Sequence, residues 1–488
     1  MLSTTSPFSF LLFGASGNLA KLKIYPALYT LALKKRLPEH YAIVGYARTA
    51  MSDGEFRELV RESVQTSMLN EAKKDVLEDF LTHVHYQPGQ YDKVDDFRKL
   101  AARLLTLEKD WGILPAGRQV PVRLAYLSVP PSVMTPVLEN MCAGGVRSEG
   151  GNFRCIVEKP VGHDLASFEE IQQELTHCLG GDEIYLLDHY LGKEAVRNTY
   201  YLRFANPILE RLFKNTLIQH VEITALESVG IEERAGYFEH TGTFRDMVQS
   251  HLLMMASLLT MHIKDTDDQI REARTNALQQ FYLPPAADLN DIVVQGQYTR
   301  GTVGKKEVPG YREEEGVENN SRTNTYTALK LLSRESRWQG VPFYMRSGKR
   351  LTKKETRISL QFQVPRVVGE GSSPNRLDII LQGEAGMRIF LQTKLGGTEP
   401  MFRPLILEDP LVCVGDCLPE HGLLLLEAIH GKKHWFLTFN EVRAAWRLVD
   451  PLQAHLSRET TPLHLYPAGT MGPAEADGWI ARDGIKWF

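Results

Sequence analysis

The sequence predicts an α/β protein: an N-terminal doubly wound domain with a parallel sheet, followed by a large β+α domain with a mainly antiparallel sheet. Up to about residue 187, short apolar runs alternate with helix-like segments, a pattern typical of parallel βαβ units. Beyond residue 188, strand-like runs follow one another with few helices between them, which favours antiparallel pairing. The 488 residues suffice for at least two domains, and we expect these at 1–187 and 188–488.

The strands predicted in the first domain are short apolar runs bounded by turn residues. They are Phe8–Phe13, Tyr41–Gly45, Val122–Val129, Arg154–Val157 and Glu183–Leu187. The predicted helices carry charges on one side and apolar residues at three-to-four spacing on the other. They are Ala20–Lys34, Asp53–Leu69 and Glu71–His83. Because parallel strands end at one edge of the sheet, we expect ligands at that edge.

The second domain is predicted to contain one long amphipathic helix, Gly242–Met261, and a long polar loop, Arg300–Ser321. Its predicted strands are apolar runs without helical spacing. They are His220–Leu226, Ile358–Val364, Leu377–Leu381 and Gly422–Ile429.

Composition excludes several classes of protein. With 43% hydrophobic and 24% charged residues, the chain is not intrinsically disordered. A net charge of -4 argues against a broad nucleic-acid-binding surface. No apolar run reaches the roughly 18 residues that a membrane helix needs. The N-terminal apolar run lacks the basic residues of a signal peptide, so we expect a cytoplasmic protein that binds neither nucleic acid nor membrane.

The five cysteines are widely scattered, and they lack the paired spacing of a zinc site. We therefore expect reduced thiols and no metal site. They are Cys142, Cys155, Cys178, Cys413 and Cys417.

A turn of small residues joins the first predicted strand to the first helix. It comprises Gly14, Ala15, Ser16, Gly17, Asn18 and Leu19. Small residues there let the backbone approach a pyrophosphate, and the helix N-terminus supplies unpaired N–H donors. The spacing G-x-x-G-x-x-A differs from the usual G-x-G-x-x-G, so an ordinary tight βα turn is the alternative. Its position after the first strand favours a dinucleotide-binding Rossmann domain.

The end of the second predicted strand indicates which dinucleotide is bound. NAD-binding proteins usually carry an acidic residue there for the ribose 2′-hydroxyl, whereas an arginine accommodates the 2′-phosphate of NADP. Here the strand leads to Arg48, and the next acid is Asp53. An arginine binds phosphate with two parallel hydrogen bonds. A solvated surface arginine is the alternative, but after the glycine turn we expect NADP.

Several motifs in collinear order resemble the glucose-6-phosphate dehydrogenase family. They are GASGNLAKLKIYPALY at 14–29, EKPVG at 158–162, DHYLGKE at 188–194, GYF at 236–238, RDMVQSHLL at 245–253, VPFYMRSGKRL at 341–351 and GPAEAD at 472–477. The resemblance implies oxidation of the C1 hydroxyl of glucose 6-phosphate to the 6-phospho-lactone with NADP, the first step of the pentose phosphate pathway. It also implies a Rossmann domain and a β+α domain that forms a homodimer or a dimer of dimers.

The resemblance makes His251 the catalytic base. Neutral imidazole suits this role because its pKa lies near operating pH. On its apolar helix face, His251 would otherwise be a core histidine. Asp246 lies five residues earlier, and in an α-helix it would sit roughly 140° round the axis. The family pattern instead gives the orienting carboxylate to Asp188.

The remaining substrate residues are also implied by the resemblance. Asp188 and His189 are consecutive, so an extended backbone aims them in opposite directions. His189 and Lys193 are four apart, which places them on one face if the next helix opens there. The expected phosphate ligands are His189, Tyr190 and Lys193; Lys159 bridges substrate and cofactor; Glu227 and Asp246 bind sugar hydroxyls; and Lys349 and Lys354 are distal substrate contacts.

Three departures from the family pattern leave alternatives open. Asn18 stands where an aspartate is usual, Leu186 where an arginine is common, and 420–423 replace a D-A-Y-E-R segment. The loss of a cation near the phosphate favours, as an alternative, a related NADP-dependent dehydrogenase for another anionic or amino sugar. A catalytically silent dinucleotide-binding protein is a further alternative.

Overall fold

The computed structural model describes residues 6–68, 72–113, 122–147, 152–263, 266, 269–365, 371–411, 413 and 415–488. The chain forms two compact units. The first comprises Met1–Gly162, Ala166–Glu194 and Val414–Phe439, and the second comprises His163–Leu165, Ala195–Cys413 and Asn440–Phe488. The main change of unit therefore falls close to the expected boundary at 187. The return of the chain to the first unit after residue 413 was not expected.

The first unit contains a six-stranded sheet in which every neighbouring pair is parallel. Its strands are β1 (Phe8–Phe13), β2 (Tyr41–Ala47), β3 (Val84–Pro88), β4 (Val122–Leu127), β5 (Phe153–Glu158) and β6 (Ile184–Leu187), in the order β3-β2-β1-β4-β5-β6. Every residue of β1, β2 and β4 is buried, which explains their continuous apolar runs. The register brings the ends of these three strands to one edge, so the predicted doubly wound sheet is confirmed.

The helices that follow these strands begin close to the predicted positions. A π-helical turn, Ala20–Ile24, leads into α1 (Tyr25–Leu33), followed by α2 (Asp53–Met68), α3 (Lys74–Thr82), α4 (Val94–Asp110), α5 (Met134–Ala143) and α6 (Leu165–Cys178). The predicted start of the third helix at Glu71 lies outside the described residues.

The expectation that all cysteines are reduced is wrong. Cys142 on α5 and Cys178 on α6 form a disulfide, with their Cα atoms 6.1 Å apart. Both residues end neighbouring helices, a proximity that the 36-residue separation in sequence did not reveal. Cys155, at the centre of β5, is a free buried thiol.

The second unit contains a large sheet that is antiparallel at all but two strand pairs. Its strands, with a separate hairpin of β10 and β11, are β7 (Ile218–Leu226), β8 (Phe281–Tyr282), β9 (Val293–Thr299), β10 (Gly301–Val303), β11 (Lys306–Val308), β12 (Tyr326–Ser333), β13 (Phe343–Gly348), β14 (Glu355–Phe362), β15 (Arg376–Gln382), β16 (Gly386–Lys394), β17 (Phe402–Pro410) and β18 (His464–Pro467). The order is β17-β16-β15-β14-β7-β13-β12-β9-β18. The parallel pairs are β7 with β13 and β9 with β18, so the mainly antiparallel sheet is confirmed.

The helices after β6 are α7 (Glu194–Ala205), α8 (Pro207–Leu212), α9 (Ala235–Thr243), α10 (Leu253–Thr260), α11 (Ile270–Gln279), α12 (Glu420–Ile429), α13 (Phe439–Leu456) and α14 (Ala474–Ala481). None of the helices in the described ranges combines the length and the apolarity required to cross a bilayer.

The predicted strand Gly422–Ile429 is wrong, because these residues form most of α12. The run is rich in leucine, with glutamate and alanine, and these residues favour a helix. A short apolar run cannot by its pattern be assigned to strand or helix. The predicted loop Arg300–Ser321 also contains the hairpin of β10 and β11.

The predicted helix Gly242–Met261 is interrupted. Gly242 takes a positive φ of 63°, a conformation that glycine tolerates and other residues avoid. Residues Phe244–Leu252 then form a π-helical segment, which continues into α10. The side-chain amide oxygen of Asn324 accepts from the backbone N–H of Phe244 at 2.9 Å. The start of the π-helical segment is thus fixed by a residue far away in sequence.

Candidate active site

The glycine turn after β1 requires its first glycine. Gly14 has a φ of +80°, and a Cβ built there would lie 2.0 Å from the carbonyl oxygen of Ser128. The N–H groups of Gly14 and Ala15 both point at the carbonyl oxygen of Tyr46 on β2, at 3.0 and 3.3 Å. The predicted turn is therefore held between β2 and the end of β4, at the carboxyl edge of the sheet. This is where a dinucleotide pyrophosphate binds in parallel sheets.

Arg48 follows β2 and its side chain is exposed. The hydroxyl of Tyr86 on β3 donates to the carbonyl oxygens on either side of it, Thr49 at 2.6 Å and Ala47 at 3.2 Å. Burial raises the pKa of Tyr86 to about 12, so this hydroxyl stays protonated and can donate. The backbone that carries Arg48 is therefore tied to β3, a support that the sequence did not indicate.

The nearest acid, Asp53, is already engaged. Both of its carboxylate oxygens accept from one guanidinium nitrogen of Arg103 on α4, at 2.8 and 2.7 Å. The backbone N–H of Tyr86 donates to the same carboxylate at 2.8 Å. Because these donors offset its charge, Asp53 is poorly suited to bind a ribose hydroxyl or to repel a 2′-phosphate.

Tyr91 is a residue of this region that the sequence reasoning missed. Its ring centroid lies 5.9 Å from the Arg48 guanidinium. Burial raises the pKa of Tyr91, and a hydrogen bond with the backbone of Gly14 opposes that rise. It thus lies between the glycine turn and Arg48. Its position after β3, rather than any motif, places it there.

The residues predicted to bind phosphate form a compact turn after β6. Asp188 is buried, and its side chain caps the short 3₁₀ turn His189–Gly192 by accepting from the N–H of Tyr190 at 2.9 Å. The ammonium of Lys193 lies 3.8 Å from the Tyr190 ring centroid, and the His189 ring meets the same ring edge-on, with centroids 5.2 Å apart. His189 and Lys193 therefore both contact the Tyr190 ring.

The geometry of this turn differs from the expectation that His189 and Lys193 share a face of one helix. Lys193 is extended, with φ −81° and ψ 123°, and α7 begins only at Glu194. The prediction was wrong about the helix but right that the two side chains are close. We name the segment Asp188–Lys193 the phosphate turn.

Lys159 follows β5 and precedes a cis peptide bond to Pro160. This places it, like the glycine turn and the phosphate turn, after a strand of the parallel sheet. Its neighbour Glu158 ends the strand and accepts a hydrogen bond from the hydroxyl of Tyr126 on β4.

In the second unit, Glu227 and Lys349 follow the parallel strands β7 and β13. Leu226 and Gly348 are register partners, so both side chains emerge at the same edge. The ammonium of Lys349 donates to the Glu227 carboxylate at 2.5 Å. The two residues were predicted separately to contact substrate, and in the structure they lie side by side.

The backbone of Lys349 is held by distant residues. Its N–H donates to the carbonyl oxygen of Thr325 at 2.9 Å. Its own carbonyl oxygen accepts from the hydroxyl of Tyr466 on β18 at 2.8 Å. Lys354, by contrast, is exposed on the connection to β14, and no contact within the described residues joins it to the Glu227–Lys349 pair.

His251 is 3% exposed and lies near the end of the π-helical segment, which packs against β7 and β13. Asp246, in its first turn, accepts a hydrogen bond from the hydroxyl of Tyr237 on α9 at 3.3 Å. Burial, and next the charge of Asp246, raise the pKa of Tyr237, so this hydroxyl remains a donor.

The α-helix assumed in the rotational argument against an Asp246–His251 pair does not form. A π-helix closes hydrogen bonds from residue i to i+5 and so brings residues five apart toward one face. The assignment of Asp188 as the orienting carboxylate stays a prediction.

Comparison with known proteins covers the whole chain. Residues 11–198 match the family model "Glucose-6-phosphate dehydrogenase, NAD binding domain", and residues 200–488 match "Glucose-6-phosphate dehydrogenase, C-terminal domain". The glucose-6-phosphate 1-dehydrogenase of Bacillus subtilis is 34% identical, with 98% of this chain and 97% of that protein aligned. That of Chlamydia pneumoniae is 36% identical over 99% and 96%.

Solved structures show the same similarity. A glucose-6-phosphate dehydrogenase in complex with its substrate glucose-6-phosphate has a TM-score of 0.89 at 30% identity, with all of both chains covered. The glucose-6-phosphate 1-dehydrogenase of Mycobacterium avium has a TM-score of 0.83 at 26% identity, with 99% of each chain covered. With both family models matched, this chain belongs to the glucose-6-phosphate dehydrogenase family.

Proposed function

We propose that the protein oxidises the C1 hydroxyl of glucose 6-phosphate to 6-phosphoglucono-lactone and transfers the hydride to NADP. The observation that carries this proposal is similarity along the full chain to proteins named for that reaction. The phosphate turn supports it, because a histidine, a tyrosine and a lysine converge there. Three donors from one short segment suit a phosphate dianion.

The residues present fit NADP. Gly14 leaves a close backbone approach that a Cβ would fill, and the small residues Gly14 to Leu19 would hold the pyrophosphate. Arg48 would bind the 2′-phosphate, while Arg103 offsets the charge of Asp53. NADP, when bound, supplies a nicotinamide ring that accepts a hydride.

His251 is proposed as the base that takes the proton from the C1 hydroxyl at an imidazole nitrogen. Loss of a hydride from C1 leaves positive charge on the carbon unless that proton also leaves, so the base lowers the barrier. Burial of His251 excludes water that would compete for the proton. Asp188 is proposed to orient the ring and to stabilise the imidazolium that forms.

The other predicted residues are proposed to position the sugar. His189, Tyr190 and Lys193 would bind its phosphate, and Lys159 would contact both sugar and nicotinamide. Glu227 would accept hydrogen bonds from sugar hydroxyls, with Lys349 holding its carboxylate in place. Asp246 is proposed for a similar role, and Lys354 for a contact at the distal end.

The test is a steady-state assay of the purified protein over a panel of glucose 6-phosphate, glucose, glucosamine 6-phosphate and other hexose phosphates. Each sugar is measured with NADP and with NAD, and the absorbance of the reduced nicotinamide is followed. We expect the largest kcat/KM for glucose 6-phosphate with NADP. A larger value for another anionic or amino sugar would favour the alternative substrate, and NADP binding without turnover would indicate a catalytically silent protein.

We also propose that the large sheet forms a homodimer. Its last strand, β17, pairs with β16 on one side only within the described chain, and Leu405, Ile406 and Leu407 are 38%, 50% and 50% exposed. Consecutive exposed apolar residues on an edge strand mark an association surface.

Light scattering should give the mass of two chains, or of four chains for a dimer of dimers. Ile406→Lys should lower the mass to that of one chain. A single-chain mass for the unaltered protein would contradict the proposal.

A further inference from the structure

The phosphate turn packs closely against the first turn of α12 within the first unit. A Cβ built on Gly192 would lie 2.3 Å from the carbonyl oxygen of Glu420. Only glycine at 192 therefore allows α12 to approach this near. The approach brings the next residue of α12, His421, beside the turn.

His421 is a buried ring of this helix that the proposed mechanism does not use. It is 5% exposed. Its ring is parallel to that of His189, with 6° between the planes and 6.3 Å between the centroids. Removal of a buried ring leaves a cavity that the surrounding side chains fill only in part. The plane of His189 thus depends on what lies next to it.

Glu158 holds His421 from the other side. The Nε2 atom of His421 lies 3.6 Å from a carboxylate oxygen of Glu158. The hydroxyl of Tyr126 donates to the same oxygen. Since Tyr126 and Glu158 lie at the carboxyl ends of the adjacent strands β4 and β5, Tyr126 one residue before the last, the carboxylate has a rigid support. His421 therefore links the sheet to the phosphate turn.

Titratable side chains lie next to His421 on β5 and on the phosphate turn. Glu158 faces it from β5 and His189 faces it from the phosphate turn. On its own helix Glu420 is paired with Lys23 at 3.6 Å. Within the described residues, Glu158 is the acid that lies next to the His421 ring.

We propose that His421 is a positioning residue for substrate phosphate: held by Glu158, it fixes the orientation of His189 and so sets the preference for phosphorylated over free sugar. The inference rests on the proposed function, because it assumes that His189 binds phosphate. A small misplacement of a positioned binding group is enough to weaken binding by an order of magnitude or more.

The experiment compares His421→Ala with the unaltered protein, using glucose 6-phosphate and free glucose as substrates. We expect the KM for glucose 6-phosphate to rise on the order of tenfold, with kcat within about twofold. The kcat/KM for free glucose and the KM for NADP should stay unchanged, because neither places a sugar phosphate against His189. The ratio of the two kcat/KM values is the readout, since general destabilisation would lower both together.

His434→Ala is the matched control. His434 is also buried, at 7% exposure, and its Nε2 also lies 3.6 Å from a glutamate oxygen, that of Glu427 on α12. The His434→Ala variant thus removes a buried histidine–glutamate pair of the same kind and leaves the His421–His189 ring pair in place. Its preference for glucose 6-phosphate should equal that of the unaltered protein.

Glu158→Gln provides a second variant that opens no cavity, because glutamine has nearly the same volume. We expect the same change in the ratio, smaller in size. An unchanged ratio in His421→Ala, or an equal change in His434→Ala, would overturn the inference while leaving the proposed reaction standing. Failure of the unaltered protein to oxidise glucose 6-phosphate would instead overturn the proposed function.

Discussion

The glycine turn after β1 and the π-helical segment Phe244–Leu252 differ in what holds them. The turn depends on a positive φ at Gly14 and on a carbonyl too close for any Cβ, both of which dictate the residue type. The π-helical segment consists of residues that would also form an α-helix. Its start is fixed by Asn324, which lies 80 residues after Phe244 in sequence. The constraint on the turn is visible in the sequence because it requires glycine at position 14. The hydrogen bond between Asn324 and Phe244 leaves no such pattern.

The difference has a consequence for how residues are paired. In the turn, the position of the small residues directly after the first strand predicted a backbone approach at the sheet edge. In the π-helical segment, the angle between Asp246 and His251 could not be calculated from an α-helix, because the hydrogen bonds there join residues five apart. Sequence spacing predicts which residues lie together where the residue types force the backbone conformation. It does not do so where tertiary packing selects that conformation.

The largest effect is expected at His251, in the π-helical segment. His251→Asn should lower kcat on the order of 10²–10⁴, because asparagine cannot take the proton from the C1 hydroxyl. Substrate KM should change little. Steady-state kinetics with glucose 6-phosphate check this, and a kcat equal to that of the unaltered protein would remove His251 from the mechanism.

At the glycine turn, Gly14→Ala should lower the free energy of unfolding by about 3 kcal/mol or more, because it adds a clash to a strained φ. NADP binding should be lost with it. Urea unfolding and fluorescence titration with NADPH measure the two. Gly181→Ala, where φ is not positive and no atom lies within 4 Å of the new Cβ, should shift stability by less than about 0.5 kcal/mol.

Beside the turn, Arg48→Asp should lower kcat/KM with NADP at least about tenfold and shift preference toward NAD, because a carboxylate repels the 2′-phosphate. Tyr86→Phe should act in the same direction but less strongly, since it removes only the hydroxyl that donates to Ala47 and Thr49. Kinetics with both nucleotides decide this. An unaltered cofactor ratio in Arg48→Asp would show that the 2′-phosphate is bound elsewhere.

The smallest effect is expected at the cap of the π-helical segment. Asn324→Ala leaves the buried N–H of Phe244 without its partner, at a cost of about 1–2 kcal/mol of stability. Thermal unfolding should show it, and kcat should fall as the segment loosens around His251. Asn206→Ala, on an exposed surface, serves as the control; an equal change in both variants would mean that Asn324 does not hold the segment.

Much of the fold was predictable because strand burial leaves a clear pattern. The apolar runs of β1, β2 and β4 are buried along their whole length, and their boundaries were predicted to within two residues. α12 was misassigned because a run of leucines satisfies helix and strand alike. The disulfide of Cys142 and Cys178 was missed because it depends on how α5 and α6 meet.

For the candidate site, the sequence motifs identified the residues of the motifs themselves. They did not identify the neighbouring residues that hold them in place. Glu227 and Lys349 were named, yet their mutual contact arises from the parallel pairing of β7 and β13, which no local pattern shows. Tyr86, Tyr91 and His421 were missed because each acts through a residue distant in sequence. Such supports carry no motif of their own, since any side chain of suitable shape and polarity could supply them.

The hydrogen bond from Tyr466 to the carbonyl oxygen of Lys349 joins residues 117 positions apart. Since Lys349 is proposed to hold the sugar-binding carboxylate of Glu227, we expect a substitution at Tyr466 to lower sugar affinity from a position outside the motifs. A survey of variants restricted to the proposed ligand residues would therefore miss Tyr466.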